Sequence, residues 1–121
     1  MRLAVRCVAL IFFLAGCVTP VIPLPPPSPK RLTQDLTTGE GSLEGTASEP
    51  GTLAYVFNSR TGTGVIATAD AQNRFVTPKM AMADDDHLEL WGSRFSEDSP
   101  SSIRCITVDS TDSRGFREEC R

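Results

Sequence analysis

From residue 41 onward the chain alternates short apolar runs with Gly, Pro, Asn, Asp and Ser, the texture of strands joined by turns. No segment keeps a helical period, and Met80-Ala81-Met82-Ala83 has room for one turn only. The runs predict strands over residues 41–47, 52–58, 65–70, 75–77, 87–94 and 102–109. Glu49-Pro50-Gly51 separates the first two, and a Gly-containing loop over residues 59–64 makes a hairpin of the second and third. Residues 71–74, with Asn73 suited to a left-handed backbone, lead into the fourth, which stops at Pro78. A polar loop over residues 95–101 precedes the last strand. Six short strands at this spacing predict an all-β domain, a sandwich or small barrel.

Upstream the pattern changes. Arg2 and Arg6 precede an apolar stretch over residues 8–15 and then small Gly16, the order of an export signal. The uncharged run from Cys7 to Val18 ends at Pro20, short of the roughly 20 apolar residues that a spanning helix needs. Residues 19–29 hold six of the nine prolines. Proline fixes φ and removes a donor, so this stretch predicts polyproline II, about 34 Å long at about 3.1 Å per residue. It reads as a spacer, although Pro23 and Pro26 also fit a P-x-x-P docking ligand. Residues 30–41 are polar, hold turn residues and predict little structure.

Leu14-Ala15-Gly16-Cys17 resembles the lipobox of bacterial lipoproteins: Leu, a small residue, Gly or Ala, then Cys. The resemblance implies cleavage before Cys17, diacylglycerol on its thiol and acylation of its new amino group. Several acyl chains anchor a protein stably where one binds only marginally. Val18, in place of the Asp that marks inner-membrane retention in the best-known Gram-negative pattern, implies the outer membrane.

Leu43-Glu44-Gly45-Thr46-Ala47-Ser48-Glu49-Pro50-Gly51 resembles the opening of bacterial Ig-like repeat domains of surface proteins. Thr68-Ala69-Asp70-Ala71-Gln72-Asn73 leading into Phe75, then Leu88 and Leu90, then the final strand, extend the likeness over residues 41–108. It implies a small Ig-like Greek-key β-sandwich without catalysis, a spacer or adhesion module. The chain departs from the family at Asn73 and Arg74, where Gly and a polar residue are usual. It departs again in the loop from Phe95 to Pro100, and in carrying one copy where tandem copies are usual. The expected layout is a signal peptide over residues 1–16, a lipidated Cys17 with a flexible Pro-rich tether to residue 40, a sandwich over residues 41–109, and a polar tail over residues 110–121.

Processing leaves Cys105 and Cys120 in an oxidising compartment, which predicts one disulfide tying the tail to the last strand. Redox pairs favour C-x-x-C spacing, and a zinc site needs more ligands than two Cys and a distant His87. Twelve basic and fifteen acidic residues give a net charge of −3, and the loss of Arg2 and Arg6 takes the mature chain to −5. That argues against a nucleic-acid binder, which normally shows a basic patch. One His and one Tyr, with no nucleophile elbow, argue against a hydrolytic enzyme, and no cofactor is implied. Thr61-Gly62-Thr63-Gly64 lacks a P-loop Lys. Asp84-Asp85-Asp86 could take calcium through oxygen ligands, but its order does not match an EF-hand and a solvated acidic turn is the plainer reading.

Residues 53–57, Leu-Ala-Tyr-Val-Phe, are apolar on both faces. Alternation puts Leu53, Tyr55 and Phe57 on one side and Ala54 and Val56 on the other. In the Ig-like register the small pair points inward and Leu53, Tyr55 and Phe57 form an outer patch, which Trp91 can join; a register flip buries the large residues instead. The expected function is a non-catalytic, lipid-anchored envelope module binding an envelope or surface protein through Leu53, Tyr55, Phe57 and Trp91. The alternatives are a structural role for the same module, an enzyme inhibitor or protective lipoprotein that inserts the Phe95 to Pro100 loop, or an enzyme or small-ligand binder whose site the sequence does not reveal.

Overall fold

Side-chain alternation sorts the strands into an inside and an outside. The computed structural model describes residues 23–94 and 100–120, which carry nine strands. These are β1 (Ser28–Asp35), β2 (Glu40–Thr46), β3 (Leu53–Asn58), β4 (Thr63–Thr68), β5 (Arg74–Val76), β6 (Met80–Ala81), β7 (His87–Ser93), β8 (Arg104–Val108) and β9 (Phe116–Arg117). In the first sheet β2 pairs with β1 on one side and with the short β5 and β6 on the other. The second sheet runs β4-β3-β7-β8-β9, and every pairing in both sheets is antiparallel. The fold is an all-β sandwich, as the strand spacing predicts.

The first sheet's side of the core brings Leu32, Leu43, Met80 and Met82 against Val56, Leu88, Leu90, Ile106, Val108 and Phe116 of the second. Phe75 forms a second cluster with Ala54 and Ala67. Its ring lies over Gly45, where a Cβ would come within 2.7 Å of Phe75 Cζ. The Phe75 ring and the small residues around it therefore require each other.

Six predicted strands are present with ends shifted by up to two residues, and three more appear. β1 corrects the expectation of a tether to residue 40. Residues 28–35, read as the end of the stalk and a weakly structured stretch, pair along β2 with Leu32 opposite Leu43. Leu24 and Pro27 are buried as well. β1 escapes the alternation test because it is a polar edge strand that buries only Pro29 and Leu32, and its pairing with β2, not its composition, orders it. Proline is tolerated there because the register is irregular between Pro29 and Arg31 on a sheet edge. Met80-Ala81 forms β6 in place of a helical turn, with Met80 and Met82 both in the core.

The tail closes the sandwich. Arg114 C=O accepts the Leu32 N–H at 2.7 Å, tying the tail to β1. Gly115 makes this approach possible: its φ is 87°, and a Cβ would fall 2.1 Å from Leu32 C=O. Cys105 and Cys120 form the predicted disulfide, with Cα atoms 5.8 Å apart. Closing a 15-residue loop contributes about 3 kcal/mol in the chain-entropy model. The Cys105→Ala/Cys120→Ala chain is expected to lose about that much unfolding free energy in urea titrations, and dithiothreitol to destabilise the parent but not the variant.

Candidate functional site

β3 has small residues where Phe75 needs room and large ones elsewhere. Ala54 and Val56 are buried, at 0% and 1% exposure, so Leu53, Tyr55 and Phe57 turn to the outer face of the five-stranded sheet, each half-buried. On β7 the same alternation buries Leu88 and Leu90 and turns Trp91 out, opposite Tyr55. The two rings stack with centroids 5.3 Å apart and planes 1° from parallel. Such cross-strand aromatic pairs add stabilisation beyond the area they cover. The Ser93 hydroxyl donates to Tyr55 Oη at 3.5 Å. Phe57 lies beside Gly64, where a Cβ would sit 3.3 Å from Phe57 Cδ2. The four residues singled out from the sequence therefore share one face.

Two further residues belong to that face. Ile66 stands opposite Tyr55 on β4 and is 54% exposed. Ile103, 63% exposed, lines a cleft of about 280 Å³ with Trp91, Glu89, Pro100 and Ser101. Neither shows in the sequence, because an isolated Ile beside Val65 or Arg104 reads as core. Only the pairing of β4 with β3 reveals that Ile66 continues an outward row. The Cys105–Cys120 bridge adjoins the face, since Cys105 stands opposite Glu89.

The acidic run does not converge. Asp84 accepts from the Ser110 hydroxyl at 2.6 Å and from Gln34 Nε2 at 3.1 Å, and these bonds hold its carboxyl below the usual range. Asp85 is exposed with φ 71°. Asp86 turns inward, 4% exposed. Its carboxylate takes Arg60 Nε at 2.5 Å and Nη2 at 2.9 Å, Asn58 Nδ2 at 2.8 Å and the Ala83 N–H at 2.9 Å. Burial alone pushes this carboxyl up, but the hydrogen bonds from Arg60, Asn58 and Ala83, with the charge of Arg60, outweigh it and leave it lowered. Among the described residues no group of His, Cys, Asp and Glu is placed to hold a metal ion. His87 is half-buried opposite Thr107. Cys17, the export signal and most of the Phe95 to Pro100 loop lie outside the described residues.

Asp86 makes a pH prediction. A carboxyl held below its unfolded value contributes stability in full above about pH 4, and that contribution is lost as pH falls through the lower folded value. Asp86→Asn is expected to cost about 1–3 kcal/mol at pH 7. The gap from the parent should narrow below about pH 4, which urea titrations across pH 7 to 2.5 will read. No protein-family model, curated protein or solved structure matches the chain.

Proposed function

We propose that the chain is a lipid-anchored envelope module that recognises a protein partner through the outer face of its five-stranded sheet, without catalysis. The observation that carries this reading is the stacked Tyr55–Trp91 pair, flanked by Leu53, Phe57, Ile66 and Ile103 on one outward surface. An antiparallel sheet that faces water alternates polar outward positions with apolar inward ones, and this face breaks that rule across neighbouring strands. Rigid aromatic side chains lose little conformational freedom on docking and dominate the central energetics of interfaces. Support for the anchor is the sequence Leu14-Ala15-Gly16-Cys17, with acyl chains on Cys17 holding the module at the outer membrane. Anchoring raises the effective concentration of the face toward envelope partners. In this reading the sandwich is of the bacterial Ig-like kind and serves recognition.

Two measurements test the reading. A photo-crosslinking side chain at Tyr55 in intact cells is expected to give one dominant adduct with a different protein, absent when the crosslinker replaces exposed Gln72. Equal labelling from both positions, or none from Tyr55 in a folded chain, would remove the face as an interface. Cys17→Ser is expected to abolish incorporation of a palmitate analogue and move the chain from the membrane pellet to the soluble fraction. Retention of the label would rule out Cys17 as the anchor.

A further inference from the structure

A terminal strand offers unpaired N–H and C=O groups along its outer edge, and proteins blunt such edges with charge, proline, bulges, covering loops or short length. Most edges here are blunted. β1 carries Pro29, an irregular register, Lys30, Arg31 and Asp35, and Arg114 takes its Leu32 N–H. β9 has two residues, and β5 and β6 have three and two, with Pro78 between them. Among the described residues β4 has none of these devices. Thr63-Gly64-Val65-Ile66-Ala67-Thr68 is a six-residue terminal strand with no charge, no proline and an unbroken register.

The hydrogen-bond phase fixes what β4 presents. Ala69 N–H donates to Thr52 C=O at 2.9 Å, continuing the β4–β3 ladder, and Ser59 N–H donates to His87 C=O at 3.4 Å, continuing the β3–β7 ladder. Bonded pairs alternate in an antiparallel ladder, so the N–H and C=O groups of Gly64, Ile66 and Thr68 point away from β3. Ile66 is also where the outward row from Trp91 through Tyr55 reaches the edge.

We infer that β4 pairs with β4 of a second copy of this chain, antiparallel about a two-fold axis at Ile66. The strand is its own complement in that register. Ile66 faces the second copy's Ile66, and Gly64 and Thr68 face each other across the axis, so all three outward-pointing residues exchange both bonds. Directly opposed residues share a sheet face, so the two outer rows meet at the axis and the half-exposed Ile66 side chains cover each other. The uncharged strand opposes no like charges. The result is one continuous sheet built from two five-stranded sheets. This pairing uses backbone at an edge, and it stands or falls separately from partner recognition by Tyr55 and Trp91.

The test uses the full chain purified in nonionic detergent. Light scattering, with the detergent contribution subtracted, is expected to give the mass of two chains for the parent and for Ile103→Lys, and of one chain for Ile66→Lys. Ile66 is half-exposed, so Ile66→Lys should keep the parent's far-ultraviolet circular dichroism. Under mild oxidation, Ile66→Cys should form at least tenfold more linked dimer than Thr63→Cys or the parent. A one-chain mass for the parent at every concentration would overturn the inference, as would a two-chain mass that survives Ile66→Lys or equal linking by Ile66→Cys and Thr63→Cys.

Discussion

The buried carboxylate of Asp86 fastens the segment that follows β6 to the hairpin end of β3, two pieces of chain that no strand pairing joins. It receives the Arg60 guanidinium from the β3–β4 hairpin, the Asn58 amide from the end of β3 and the Ala83 N–H that follows β6. Asn58 Nδ2 also reaches Ala81 C=O, so one side chain touches both sheets. The backbone of the same turn exchanges bonds with Val108: Val108 N–H donates to Asp86 C=O, and Asp85 N–H to Val108 C=O, each at 2.8 Å. A buried charge without partners is far costlier than these bonds are favourable, so the donors depend on one another. Without Arg60 the carboxylate would keep the Asn58 and Ala83 donors but lose its countercharge.

The outward aromatic face follows from how the inside is filled. Phe75 occupies the space above Gly45, Ala54 and Ala67, and Val56 lies beside Leu88 and Leu90 on the same inner face. A strand with period two cannot put large residues on that side without displacing Phe75. Tyr55 and Phe57 must therefore project outward, where Trp91 gives Tyr55 a stacking partner and the absence of a side chain at Gly64 leaves room for Phe57. The packing that stabilises the core creates the surface available for recognition.

Face and edge then meet at Ile66. Side chains on the outer face present apolar area, which suits a partner with its own apolar surface. The open edge of β4 presents backbone groups, which any extended strand can satisfy and which a second β4 satisfies with its own symmetry. The tail loop performs the opposite task on the first sheet, where the contact between Arg114 and Leu32 occupies the β1 edge. Among the described residues, one edge is thus closed and another left open.

Local sequence determined the class of fold and the place of six strands, because alternating or short apolar runs bounded by turn residues have few other uses. It also pointed to Cys105 and Cys120 as partners, on the expectation that the other two cysteines belong to a leader and its anchor, and the structure bonds them. Tertiary structure decided the rest. β1 was invisible because a polar edge strand with two buried residues carries no period. The phase of β3 was undetermined because both of its faces are apolar, and only Phe75, some 20 residues away in sequence, settled which face turns inward. Asp86 looked like one of three solvated acids until folding brought Asn58 and Arg60 to it across 28 and 26 residues. Periodicity reports that a strand has two sides; which side is inside, and which charge is buried, depends on neighbours that the local pattern does not contain.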